Sequence, residues 1–436
     1  MTRVDTLIHA AHVLPVTPRA TLAGHAVAID AGRIVEVLPS PAARGRYEAS
    51  RVVELPRHVL MPGLVNIHCH AAMSLMRGIA DDLPLMTWLR EHIWPAEGKH
   101  IGDEFVHDGS LLAMAEMLRA GITCVNDMYF FPGATARAAL RAGMRASLGI
   151  VAIEFPSAYA SGPDDYLQKG FAVRDAYHGE ALLSFAMAPH APYTVGDETL
   201  RRMNVLAEEL EMPLHTHLHE TRDEIREGLA QHGVRPLERL HRLGLVGPRL
   251  IAVHAVHLEP VELDLLARAG VHVAHCPSSN LKLASGIAPV AAMRSRGINV
   301  ALGTDGAASN NRLDLLTEAR TAALLAKAAS GDAAVVGAHE VIEMATLGGA
   351  RALGREGEFG SLEPGKWADL AALELSDPET IPCYDPASHV AYAAGREHVT
   401  HVWVAGEARL EERRLATLDV GDLRDRAEWW KRRIAA

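Results

Sequence analysis

Hydrophobic residues along the chain fall into two patterns that alternate. Short apolar runs with little polar interruption recur at Val59–Ile67, Ile122–Asn126, Arg145–Val151 and Leu182–Ala188, then at Met212–His217, Leu250–His254, Val271–Cys276 and Ile298–Gly303. Between them lie stretches such as DEFVHDGSLLAMAEMLRA and DETLRRMNVLAEELE, whose apolar residues return every three or four positions. The first pattern predicts strands covered on both faces, the second amphipathic helices. RAGIT, RAGMR, RAGVH and SRGIN, beginning at Arg119, Arg141, Arg268 and Ser295, each close a helix and open a strand, with glycine where a left-handed residue ends the helix. Eight strand–helix units in succession predict a closed (β/α)8 barrel, with an open doubly wound sheet as the competing arrangement.

Both flanks break this rhythm. HAVAIDAGRIVEVLP and RVVELPRHVLMPG precede the barrel, and GSLEPGKWADLAALEL and HVTHVWVAGEARL follow Gly360, all strand-like pieces joined by Gly- and Pro-bearing turns. They predict one small β-sandwich assembled from both chain ends, as against two unrelated extensions. The expected division is 1–58 for the N-terminal part of the sandwich, 59–358 for the barrel, and 359–436 for the rest of the sandwich and a terminal helix.

Composition narrows the function. A formal charge of -11 argues against a nucleic-acid backbone as partner, which requires a basic face. No run of 18 apolar residues suggests a membrane span, and MTRVDTLIHAAHVLP lacks a signal-peptide layout, so a cytoplasmic protein is expected. Cys69, Cys124, Cys276 and Cys383 form no CxxC pair, which speaks against a zinc knuckle or disulfide framework. Histidine is abundant, 24 residues against six lysines. Scattered ones such as His9, His12, His100 and His339 read as surface residues. Those ending apolar runs do not.

In a barrel, chemistry sits at the C-terminal strand ends. The first run ends GLVNIHCH, where His68 and His70 share a face and Cys69 points the other way. Two imidazoles at that spacing chelate a borderline metal such as zinc. The fifth run supplies HTHLHE: His217 lies near the strand end, His215 roughly 6.5 Å deeper as barrel filling, and His219 beyond the strand. Glu220, three residues past His217, is placed to reach a water rather than a metal. The sixth run offers His254 at its tip and His257 in the loop, and the eighth ends LGTDGAASNN with Asp305. Each alone reads equally well as a satisfied core residue, and Asp305 as a helix cap. Together they converge on one mouth, and one divalent metal is the economical reading.

MPGLVNIHCHAAMSLMRG, HTHLHE, VHAVHL, HCPSSNLKLASG and LGTDGAASNN resemble the amidohydrolase superfamily, and more narrowly its methylthioadenosine/S-adenosylhomocysteine deaminase group with chlorohydrolase and other aminohydrolase relatives. The resemblance runs from about Met61 to Asn311, with flanks matching that family's sandwich. It implies a mononuclear site with His68, His70, His217 and Asp305 as metal ligands, Glu220 as proton shuttle and His254 beside the water. It further implies that Trp88, in WLREHIWPAE, packs on a purine, that Glu97 grips ribose hydroxyls, and that His190, in APHAPYT, and Ser309 line the substrate pocket. Zinc is favoured, though Fe2+ or Mn2+ accept the same donors. The implied reaction is hydrolytic loss of ammonia from an adenine nucleoside: metal-activated water attacks, Asp305 takes its proton, and Glu220 protonates first the ring nitrogen and then the leaving amine. A homo-oligomer, dimer or tetramer, is expected.

Two-metal cyclic amidases use a strand-end lysine, but none of Lys99, Lys169, Lys282, Lys327, Lys366 and Lys431 ends a predicted strand. The closer rivals are guanine, cytosine or triazine aminohydrolases and chlorohydrolases; Glu97 favours a nucleoside, since a free base has no ribose. One departure stands out. Some group members carry an arginine after strand three, but EFPSAYASGPDDYLQKG has none, so S-adenosylhomocysteine is less secure than adenosine or methylthioadenosine. Arg77 and Arg90 are the candidate substitutes.

Overall fold

The computed structural model describes residues 1–435. Eight parallel strands follow one another in chain order: Leu64–Cys69, Ile122–Asp127, Arg145–Ala152, Leu183–Pro189, Leu214–Leu218, Leu250–His254, His272–His275 and Asn299–Leu302. They are barrel strands one to eight, with helices between them, and the fold is a (β/α)8 barrel. The helix-closing glycines Gly121, Gly143, Gly270 and Gly297 all have φ between +68° and +82°.

The last seam is closed by side chains as well as backbone. Asn66 Nδ2 donates to Thr304 Oγ1 at 2.7 Å, Asn66 Oδ1 accepts from Thr304 N at 3.0 Å, and Asp305 N donates to His68 O at 3.0 Å. A Cβ on Gly303 would lie 2.9 Å from His68 Cβ, so only glycine lets strand eight approach strand one this closely.

The run Val59–Ile67 is not one strand. It divides at Gly63: Val59–Pro62 finish the strand Tyr47–Pro62 of a second sheet, and the barrel begins at Leu64. A Cβ at residue 63 would come within 2.2 Å of the Thr123 side chain, which explains glycine at the crossing.

The second sheet has eight strands from both chain ends, in the order Arg414–Leu415, Glu407–Glu411, Val399–Val404, Leu370–Glu374, Tyr47–Pro62, Thr2–Val13, Leu22–Asp30 and Arg33–Pro39. It curls on itself: Ala368 N donates to Gly32 O at 2.9 Å and Gly406 N to Ala368 O at 3.0 Å. Ile8, Val27, Ile29, Leu60, Leu370 and Trp403 fill the space between its halves. The strand Thr2–Val13 escaped the hydrophobic pattern, and with it His9, which is buried with both ring nitrogens unpartnered rather than on the surface. Among the described residues no helix is long and apolar enough to cross a membrane.

One buried ion pair ties the two sheets together. Arg145, opening barrel strand three, donates from Nε to Asp369 Oδ2 at 2.5 Å and from Nη2 to Oδ1 at 3.2 Å, and Asp369 Oδ1 also accepts from Ala405 N at 2.7 Å. Both side chains are almost fully buried. Removing one partner strands the other charge, so Arg145→Met or Asp369→Ala should each cost about 3–5 kcal/mol in denaturant unfolding. The double variant should lose less than the sum; additive losses would count against the pairing.

Candidate active site

Strand ends deliver the polar residues to one point above the barrel. His68 and His70 leave strand one on the same face; His217 comes from strand five, His254 ends strand six, and Asp305 follows strand eight. His254 and Asp305 take left-handed backbone conformations, with φ of +70° and +59°. Such strain in non-glycine residues persists only where the surroundings over-determine it.

Each imidazole is turned by the bond its Nδ1 makes. His70 Nδ1 donates to Met128 O at 2.6 Å, His217 Nδ1 to His190 O at 2.7 Å and His254 Nδ1 to Asn280 Oδ1 at 2.8 Å. His68 Nδ1 lies 2.9 Å from Nε2 of His215, which therefore serves as a buried prop one layer down. Four Nε2 atoms are left for the centre. Asp305 Oδ1 sits 3.2 Å from His68 Nε2 and 3.3 Å from His70 Nε2, while Oδ2 accepts from Ser279 Oγ and Ser309 Oγ, both at 2.7 Å. Asp305 caps no helix; that task falls to Asp314, ahead of Leu315–Ser330.

Electrostatics mark the same point. Burial opposes a charge on Asp305, yet hydrogen bonds from His68 and His70 hold its carboxyl well below the ordinary range. Burial keeps His68 down at about 4; it opposes charge on His70 too, but Asp305 raises that residue to about 9. Burial and neighbouring imidazoles hold His217 well below its usual value. The group thus holds one buried carboxylate that needs a positive neighbour.

A divalent ion fits that need. Ligand atoms of His68, His70 and His217 lie within 4.8 Å of one another, as do those of His68, His254 and Asp305. The edge of a tetrahedron with bonds of about 2.0–2.1 Å is about 3.3 Å, close to the 3.2 and 3.3 Å between Asp305 Oδ1 and the two Nε2 atoms of strand one.

Above this centre opens a cavity of about 290 Å3. Glu220 lies on its wall, buried, with its carboxyl raised by burial and Oε2 3.8 Å from His254 Nε2. His190 also lines it, held neutral by burial at about 3, its Nδ1 2.9 Å from Thr194 Oγ1. A helical lid runs over the mouth as Leu85–Trp88, a π turn at Leu89–Ile93, and Trp94–His100, and brings Trp88 and Glu97 to the cavity. Ser309 lines it as well.

The remaining histidines and arginines singled out in the sequence lie elsewhere. His257 Nε2 bonds Ser285 O at 2.8 Å, and His219 Nε2 accepts from Leu237 N at 3.0 Å. Arg77 pairs with Glu116 and Arg90 is exposed; neither lines the cavity. Sequence reasoning missed Tyr129, whose hydroxyl donates to Glu97 Oε1 at 2.7 Å, and Ser279 and Asn280, which grip Asp305 and His254. Tyr129 sits just past strand two, and the serine and asparagine belong to HCPSSN at the end of strand seven, so position at a strand end was the available signal.

Fold and centre together define a (β/α)8 barrel enzyme with a cation-ready mouth. Residues 59–409 match the model of the amidohydrolase family, and the chain belongs to that family of hydrolases. It is 47% identical over 436 residues to the 5-methylthioadenosine/S-adenosylhomocysteine deaminase of Teredinibacter turnerae, covering 100% of this chain and 99% of that one. An adenosine deaminase from Xanthomonas campestris with bound zinc superposes with a TM-score of 0.98 at 50% identity, over 100% of this chain and 99% of the other. Atrazine chlorohydrolase from Arthrobacter aurescens, complexed with zinc, superposes with a TM-score of 0.90 at 26% identity, over 98% and 100%.

Burial raises the Glu97 carboxyl to about 7, and the Tyr129 hydrogen bond pulls it back down. Because that donor favours the ionised form, Tyr129→Phe should move the Glu97 titration further up, as followed by NMR of carbon-13-labelled glutamate. A downward or absent shift would contradict the contact.

Proposed function

We propose that the protein is a divalent-metal-dependent hydrolytic deaminase of adenine nucleosides, releasing ammonia from the 6-amino position of adenosine and 5′-methylthioadenosine. The observation carrying this reading is that one cavity joins the imidazole–carboxylate centre and Glu220 to an aromatic lid and a second carboxylate, Glu97. The names of the Teredinibacter and Xanthomonas relatives support it. A cytoplasmic homo-oligomer, dimer or tetramer, belongs to the same reading.

His68, His70, His217 and Asp305 would hold the metal, with zinc favoured by the donor set. When bound, it lowers the pKa of a water toward about 7. His254, with Nδ1 committed to Asn280, offers the lone pair of Nε2 to orient that water. Asp305, steadied by Ser279 and Ser309, accepts its proton. Glu220 is buried, and burial raises its carboxyl and so favours the protonated form. It gives that proton to the ring nitrogen next to the attacked carbon, takes the second proton of the attacking water from the new hydroxyl as the carbonyl forms, and delivers it to the departing amine. Trp88 packs on the purine, Glu97 accepts from the ribose hydroxyls, and His190 and Ser309 border the base. An aminohydrolase of guanine, cytosine or a triazine, or a chlorohydrolase, is the alternative, favoured only if Glu97 has no ribose to hold.

The 5′ substituent points away from the metal end. Leu85, Phe130, Phe155 and Leu283 line the cavity, and among the described residues no lysine or arginine does. A methylthio group finds apolar surface, whereas the homocysteine carboxylate of S-adenosylhomocysteine would meet no counter-charge.

Ammonia release from metal-replete protein tests the reading across adenosine, methylthioadenosine, S-adenosylhomocysteine, guanine and a triazine. The first two should be the best substrates, with S-adenosylhomocysteine lower by about tenfold or more in kcat/KM, one such factor being 1.4 kcal/mol. Guanine or triazine as the best substrate would overturn it. Glu220→Gln should lose about 10²–10⁴-fold in kcat while keeping its metal, and chelation should abolish turnover of the parent enzyme. Since the ionised form of Glu97 accepts from ribose, KM should rise as pH falls below about 7, and Glu97→Gln should flatten that dependence.

A further inference from the structure

The turn that aims Glu220 is held by a residue with no place in the chemistry. After strand five the chain passes through His219, a non-glycine residue with φ of +53°, before entering helix Arg222–His232. Two consecutive amides in that turn point at one side chain: His219 N donates to Glu224 Oε1 at 2.8 Å and Glu220 N to Glu224 Oε2 at 2.7 Å. Glu224 is itself buried, 5% exposed, and lies one helical turn beyond the residue it serves. The rest of the turn is equally committed. His219 O accepts from Val256 N at 3.0 Å and His257 N at 3.1 Å, which ties it to the loop after strand six. His219 Nε2 accepts from Leu237 N at 3.0 Å, so its proton sits on Nδ1, 3.8 Å from Glu262 Oε2.

We propose that Glu224 is the positioning residue for Glu220: its two carboxylate oxygens fix both amides of the left-handed turn and so hold the Glu220 carboxyl in the cavity. The chemistry requires a carboxylate. It offers acceptors on both oxygens, whereas a glutamine of the same shape offers one acceptor and one NH2 group, which would face an amide N–H in either orientation. Removing one acceptor leaves a buried donor unsatisfied, in a turn that L-residues resist. The inference rests on Glu220 being the proton donor of the proposed reaction, but the clamp itself is a statement about two amides.

The test compares Glu224→Gln with the parent protein and with Glu220→Gln, each loaded with zinc. Glu224→Gln should lower kcat about 10- to 100-fold, the loss expected for a charge-assisted hydrogen bond, leave KM and zinc content near parental values, and speed hydrogen exchange at the His219 and Glu220 amides. The double variant Glu220→Gln/Glu224→Gln should be no slower than Glu220→Gln alone, because the clamp acts only through Glu220. A merely structural role predicts instead that the two losses multiply, and that outcome overturns the proposal, as does full kcat in Glu224→Gln. If Glu224→Gln folds poorly, Glu224→Asp, which keeps the charge but withdraws the oxygens by one methylene, is read the same way. Should the parent protein release no ammonia from any nucleoside, the functional reading fails by itself; unchanged exchange at the two amides then overturns the clamp separately.

Discussion

The geometry of the centre depends on how each imidazole spends its first nitrogen. A neutral imidazole has one donor and one acceptor, and the ring faces whichever way its stronger partner dictates. Here the Met128 and His190 carbonyls, Asn280 and His215 take the four Nδ1 atoms. What is left, an inward array of Nε2 atoms around a buried carboxylate, is a consequence of those outer bonds. Such outer partners govern metal affinity nearly as strongly as the ligands themselves.

The barrel supplies the rigid part of this arrangement and the loops supply selectivity. Asn66, Thr304 and Gly303 bring strand eight against strand one closely enough for Asp305 to meet both histidines of the first strand. The lid, by contrast, is a separate helical piece whose Trp88 and Ile93 share a hydrophobic cluster with Trp430 of the terminal helix Val420–Ile434; Trp430 itself packs edge-on against Phe105 and donates from its indole to Asp108 Oδ2 at 2.9 Å, both in the helix Asp103–Arg119 that follows the lid. Its π turn, a rare form found mostly at functional sites, lies between Trp88 and Glu97.

Much of this was legible in the chain because strand ends carry local signals. Alternation places His68 and His70 on one face, and glycine after each helix marks where the next strand begins. Legibility failed where the meaning of a residue lies in a distant partner. Gly63 reads as part of a continuous apolar run, and only the Thr123 side chain beside it reveals a crossing between sheets. His9 looks like any scattered polar residue until the strand that buries it is paired on both sides. Tyr129 and Asn280 have no spacing signature, since each matters through one atom brought by another strand's end; Glu224 bonds two amides of its own loop, and nothing in the local pattern marks that turn. Asp305 was the opposite case: a cap by local pattern, and something else once four remote stretches met.

The interleaving of the chain ends in the small sheet also bears on how the molecule is made. Strand Tyr47–Pro62 has Thr2–Val13 on one side and Leu370–Glu374 on the other. During vectorial synthesis the first neighbour is present almost at once, while the second emerges only after the whole barrel has left the ribosome. Until then Tyr47–Pro62 carries a bare pairing edge and Arg145 waits for the carboxylate of Asp369. Contacts of such long sequence separation form late and slowly. The strand that leads into the barrel at Gly63 is therefore completed only by residues translated after the barrel.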